Sequence, residues 1–135
     1  MELSPGLEGE KDLVVSQKHL SDATGNFGSD VLSTHELVLL MELAAREAVQ
    51  DRLPEGMITV GTRVEIRHVA AALLGTRVRA KARLADVQRR RLYFEVEAWD
   101  CFGTLATGQN EQLIVSRETF LNRVRRRTMV SGIDP

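Results

Sequence analysis

The stretch from Val31 to Val49, VLSTHELVLLMELAAREAV, constrains the chain more than any other, because it is the one long helical candidate and its most apolar segment. A helix of about sixteen residues within it runs about 24 Å at about 1.5 Å per residue, the length of a small sheet. Leu37 to Met41 and Leu43 to Ala45 are apolar with only Glu42 between them, so the helix is expected to be covered on more than one side. Ser33-Thr34-His35-Glu36 has the form of a capping box, in which the Ser33 hydroxyl accepts from the Glu36 backbone N–H and the Glu36 carboxylate reaches back. Beyond this helix the chain alternates like strand.

With 135 residues the chain fits one domain with one core. The formal net charge of -1 lacks the cationic excess with which proteins usually meet a phosphate backbone, so nucleic acid is not an expected partner. A lone Cys101 forms no internal disulfide and suits a reducing compartment. No apolar run reaches the roughly twenty residues that span a bilayer, and residues 1–10 lack the parts of a signal peptide. A cytoplasmic protein without a membrane partner is the expectation.

Residues 1–11, with Pro5, Gly6 and Gly9, read as a flexible leader, and Asp12 to Gln17 as a short first strand. Ser21 to Asp30 reads as a loop around a single Phe27. After a connection at Pro54 and Gly56, Met57 to Val69 is a strand with Val60, Thr62, Val64, Ile66 and His68 on one face and Gly61, Arg63, Glu65 and Arg67 on the other. Thr76 to Val87 places Val78, Ala80, Ala82 and Leu84 inward; Arg91 to Asp100 does the same with Leu92, Phe94, Val96 and Ala98. A turn at Gln88-Arg89-Arg90 sets Arg83 opposite Glu95 and Lys81 opposite Glu97, a charge-matched surface rather than a binding stripe.

Thr104 to Ser116 is the last long strand, and Arg117 to Arg127 a final helix with a narrow stripe of Phe120, Leu121 and Val124. Its arginines, Arg123 and Arg125 to Arg127, suit a solvated helix end or, less simply, a grip on a phosphate-bearing ligand. The sum is one α+β domain over residues 12–127 with a tail at 128–135. A curled antiparallel sheet of about five strands wraps one central helix, and its edges call for dimerisation.

Residues able to carry chemistry are few: Thr34 at the helix start, Glu42 within it, and His68 at a strand end. Each has a plainer use, since Thr34 can cap, Glu42 can pair with Arg46 one turn on, and His68 can be a hydrogen-bonded core histidine. No metal-ligand spacing, phosphate loop or serine nucleophile elbow is present, and neither cofactor nor metal is expected.

Around VLSTHELVLLMELA, VGTRVEIRHVAAALLGTRV, RRRLYFEVEAWD and ATGQNEQLIV, the chain resembles the hotdog-fold thioesterases of the fluoroacetyl-coenzyme A thioesterase type, from about Val31 to Arg123. The resemblance implies the hotdog fold, a strand order 1-3-4-5-2 and a homodimer or dimer of dimers. It also implies hydrolysis of a small acyl-CoA at a site near the subunit interface. Thr34, Glu42 and His68 match the family's catalytic positions, and Gly61 the glycine whose amide faces the thioester oxygen across the dimer. The fluoroacetyl selectivity does not carry over, because a single phenylalanine, Phe27, precedes the helix, and the mode of coenzyme A contact does not carry over either, because Gln112 stands where the fluoroacetyl enzyme has arginine. A non-catalytic acyl-CoA or acyl-carrier binding protein and an enoyl-thioester hydratase are the alternative functions of such a fold.

Overall fold

The computed structural model describes residues 2–21 and 30–131. Phe27, and the loop read around it, lie mostly outside these. In chain order the elements are β1 (Glu8–Val14), α1 (Thr34–Val49), β2 (Met57–His68), β3 (Arg77–Gln88), β4 (Arg91–Asp100), β5 (Gly103–Ser116) and α2 (Arg117–Ser131). All strand pairings are antiparallel, in the order β1-β3-β4-β5-β2, and the sheet curls around α1 in the hotdog arrangement. Among the described residues no helix is long and apolar enough to cross a membrane.

The core lies between α1 and the inner sheet face. Leu37, Leu40, Met41, Ala44, Ala45, Ala48 and Val49 are buried on the helix. They meet the alternating rows of β3 and β4, where Val78, Ala80, Ala82, Leu84, Leu92, Phe94, Val96 and Ala98 are all buried as their spacing dictates. Arg83 pairs with Glu95 across the outer face at 2.9 Å. Lys81 stands opposite Glu97 in the register but bonds to Glu8 of β1 at 2.6 Å.

Three expectations change. The first strand begins at Glu8, not Asp12, so residues 8–11 of the supposed leader belong to the sheet. Its inward row is Gly9, Lys11 and Leu13, paired with Ala82, Ala80 and Val78. Gly9 lets β1 cross close over α1: a Cβ there meets Ala44 O at 2.2 Å and Ala48 N at 2.5 Å, both backbone atoms that cannot step aside. Gly9→Ala is therefore expected to lower stability by about 1–3 kcal/mol, read as a reduced urea midpoint; an unchanged midpoint contradicts the close crossing.

β1 is further tied by the Arg77–Asp12 and Lys81–Glu8 pairs. The Arg77 hydrogen bond and charge lower the Asp12 pKa, so this tie is lost as pH falls through that depressed value. The Glu8 hydrogen bond and charge raise the Lys81 pKa, so the second tie is lost as pH rises through the raised value. Both hold through the neutral range.

The second change is the phase of β2. Its register against β5 slips between Gly61 and Arg63, leaving Thr62 as an extra, bulged residue. Thr59, Gly61, Val64, Ile66 and His68 stand opposite Ile114, Gln112, Asn110, Gly108 and Ala106, which alternate without a break. Gly61 therefore shares the inner face with His68, and Val60 and Thr62 leave it. The third concerns helix ends: Ser33 is the N-cap of α1 but its side chain makes no capping bond, so the capping box is not formed. α2 continues to Ser131, past the Arg127 expected, and Leu121 and Val124 of its stripe stay exposed.

Candidate active site

Thr34 is fixed at the start of α1 by a short ladder of backbone bonds. Ser33 N donates to His19 O at 2.8 Å, and Leu32 N donates to Ala72 O at 2.9 Å. Val31 also bridges Leu73, so the segment entering α1 is stitched to the loop leaving β2. That loop begins at His68, and its next residue, Val69, donates to Leu105 O at 2.8 Å. The two chain ends thus meet, and Thr34 Oγ1 lies 2.9 Å from His68 Nδ1. The threonine is exposed and the histidine half-buried. The hydroxyl bonds the imidazole; capping falls to neither Thr34 nor Ser33.

Glu42 is two turns further along the helix and half-buried. Its carboxylate rests on Gly61 rather than on Arg46, since a Cβ at Gly61 would sit 2.2 Å from Glu42 Oε1. Only a residue without a side chain leaves that carboxylate where it is. Behind it stands a pair of buried amides: Gln112 Nε2 donates to Asn110 Oδ1 at 2.7 Å and to Glu42 O at 3.4 Å, while Asn110 Nδ2 donates to Arg63 O at 3.0 Å. Asn110 and Gln112 were not singled out as site residues from the sequence; their signal is two amides on the inward row of an otherwise apolar strand, Ala106, Gly108, Asn110, Gln112, Ile114.

Within one chain the four residues form two pairs, not one cluster. Thr34 and Glu42 are separated by about 12 Å along α1, and Gly61 and His68 by about 20 Å along β2. Among the described residues no three His, Cys, Asp or Glu side chains converge as a metal ion requires. A cavity of about 860 Å³ bordered by charged side chains such as Glu65, Arg67, Lys81 and Glu97 includes none of the four.

β2 is the last strand of the sheet and twelve residues long, with its outer edge unpaired and Val64 on it 43 % exposed. Leu39 on α1 is 47 % exposed. A long open edge beside exposed aliphatic side chains is a surface that proteins normally cover.

The sequence profile of the fluoroacetyl-CoA-specific thioesterases matches residues 15–118. The fluoroacetyl-CoA thioesterase of Streptantibioticus cattleyicolor is 32% identical over 113 residues, which make up 82% of this chain and 81% of that enzyme. A crystal structure of the fluoroacetyl-CoA thioesterase FlK superposes with a TM-score of 0.87 at 28% identity, covering 95% of this chain and 99% of that one. A Thermus thermophilus protein described as a thioesterase superfamily member does so with a TM-score of 0.85 at 32% identity, covering 96% and 98%. On its fold, its sequence and the extent of both matches, the chain belongs to the fluoroacetyl-CoA-specific thioesterase family of hotdog-fold proteins.

Proposed function

We propose that the protein is a homodimeric acyl-CoA thioesterase whose site is assembled from both subunits. The observation that carries this reading is the division of the family-matched residues into a Thr34–His68 pair at the end of the exposed β2 edge and a Glu42–Gly61 pair about 20 Å back along it. Two β2 edges pairing antiparallel about a two-fold axis between Val64 and Glu65 bring Gly61 and Glu42 of one protomer beside the partner's His68 and the partner's Thr34. A two-fold axis makes two such sites. The bulge at Thr62 matters to this, because without it Gly61 and His68, an odd number of residues apart, would face opposite sides of the sheet.

Each group then has a task in thioester hydrolysis. The Gly61 backbone N–H donates to the thioester oxygen, where negative charge develops as the carbonyl carbon becomes tetrahedral. Glu42 takes a proton from the attacking water, whose oxygen bonds to that carbon. The carbon–sulfur bond breaks, and the partner's His68, entering the step as imidazolium, gives the departing sulfur a proton from Nε2 and becomes a neutral imidazole. The partner's Thr34 hydroxyl accepts from Nδ1–H, which keeps the second proton on the ring and leaves a neutral imidazole once the Nε2 proton has gone. The products are a free acid and coenzyme A, and the proton on Glu42 returns to the imidazole through solvent.

A panel of short, branched and aromatic acyl-CoA thioesters, assayed by titration of released thiol, tests the reading. Thiol release well above the spontaneous rate is expected for at least one short acyl group. A panel that is bound but not hydrolysed points to a binding protein, and loss of an enoyl absorbance without thiol release to a hydratase; either overturns the proposal.

A further inference from the structure

Three consecutive residues of β5, Asn110, Glu111 and Gln112, hold both halves of the Glu42–Gly61 pair. Gln112 stands opposite Gly61 in the register, and the next pairs are Arg63 with Glu111 and Val64 with Asn110, so the bulge at Thr62 lies against this triplet. The bulge is pinned from both faces of the sheet. On the outer face Thr62 Oγ1 donates to the Glu111 carboxylate, which Arg91 of β4 pairs at 3.3 Å. On the inner face Asn110 Nδ2 donates to Arg63 O at 3.0 Å, the carbonyl just past the inserted residue. Gln112 Nε2 then spans from Asn110 Oδ1 at 2.7 Å to Glu42 O at 3.4 Å. The helix turn that carries the carboxylate is thereby tied to the strand that fixes the bulge.

This arrangement is kept at a cost. Gln112 is fully buried and Asn110 nearly so. Glu42 O only accepts, so the amide nitrogen must face it, and Gln112 Oε1 is left buried without a donor among the described residues. An apolar side chain of the same length would fill the place and bury no unpaired acceptor. What the amide supplies and an apolar side chain does not is direction, because it holds Glu42 O and, through Asn110, Arg63 O at set distances from one strand. We propose that Gln112 is a positioning residue for the thioester chemistry, acting through Glu42 and Gly61 with Asn110 and Glu111 as its supports. This rests on the thioesterase reading above. Gln112 touches no reacting atom; it sets where the Glu42 carboxylate stands over Gly61, and a misplacement of about 1 Å between such groups costs up to about 10²-fold in rate.

Gln112→Met keeps the length of the side chain and removes both donors. It is expected to lower kcat about tenfold or more, with KM within about twofold and the urea midpoint near that of the wild type. Placed in Glu42→Gln, the same substitution should change kcat by less than about twofold, because a residue that acts through Glu42 has nothing left to position. An equal loss in both backgrounds is packing damage and overturns the assignment, as does a wild-type kcat in the single variant. Thr62→Val, an isosteric change on the exposed side of the bulge, takes over if Gln112→Met does not fold. A loss of about threefold that disappears in Glu42→Gln is then expected, and one that persists overturns the proposal. Hydrogen exchange followed by mass spectrometry reads the same tie without turnover: in Gln112→Met it should quicken about tenfold or more over residues 39–46 and 58–66 and stay unchanged over 77–88. If the wild type hydrolyses no thioester, the hydrolase reading fails by itself, whereas unaltered or uniformly quickened exchange overturns the role of Gln112.

Discussion

Glu42→Gln is expected to lower kcat on the best acyl-CoA by about 10²–10⁴-fold, the range over which positioned acid–base groups act, with little change in KM. The substitution keeps the shape of a side chain that rests on Gly61 and is half-buried at the inner sheet face. It removes a negative charge that forms no ion pair with Arg46, so no cation is stranded. Folding should be near normal, and the loss then belongs to chemistry rather than to structure. Thiol release under saturating substrate measures it, with the urea midpoint as the control. A variant retaining more than a tenth of the wild-type rate shows that Glu42 does not take the proton from water.

His68→Ala is expected to have an effect of similar size, about 10²-fold or more in kcat, for a different reason. Its imidazole is hydrogen-bonded to Thr34 Oγ1 at 2.9 Å on an exposed edge, so removing it leaves a hydroxyl that water can satisfy, and stability should change little. What is lost is the proton for the departing sulfur. The deficit should therefore shrink when coenzyme A is replaced by a more acidic thiol, which leaves without protonation. A deficit independent of the leaving thiol assigns His68 to some other step. Thr34→Val should resemble a mild version of the same defect, because it frees the ring without removing it.

Much of this was legible in the sequence, and the failures have physical causes. α1, β3 and β4 were readable because their buried rows are long and almost purely apolar, so period and composition agree. β1 was placed too late because its inward residues are a glycine, a lysine and a leucine. Gly9 is chosen for what it lacks, and Lys11 reaches from the sheet to Glu47 on α1 at 3.3 Å, so no hydrophobic alternation marks the strand. β2 was read with the right phase after its bulge, where Val64, Ile66 and His68 face inward, and with the wrong phase before it, where the inserted Thr62 puts Thr59 and Gly61 inward in place of Val60; nothing about Thr62 announces a bulge. The capping box failed although its residues are present: Ser33 is buried and its hydroxyl finds no partner there.

The candidate residues were legible as a resemblance and not as a geometry. Spacing along α1 already put Thr34 and Glu42 about 12 Å apart, too far for contact. The fold removes that difficulty by giving each its own neighbour, Thr34 with His68 and Glu42 with Gly61. Asn110 and Gln112, which connect the inner face of β5 to the Glu42 carbonyl and to the bulged segment of β2, depend on a register between distant strands. A single chain of letters does not display that.

The composite site is open to a direct measurement. Glu42→Gln and His68→Ala homodimers are prepared separately, each nearly inactive, then mixed under conditions that let subunits exchange, and thiol release is followed over time. A mixed dimer holds one site carrying both substitutions and one carrying neither, so activity should climb to about one quarter of the wild-type value at full random exchange. If the mixture stays as inactive as its components although subunit exchange is demonstrated by mass, Glu42 and His68 do not meet across the two-fold, and the assembly proposed for this site is wrong.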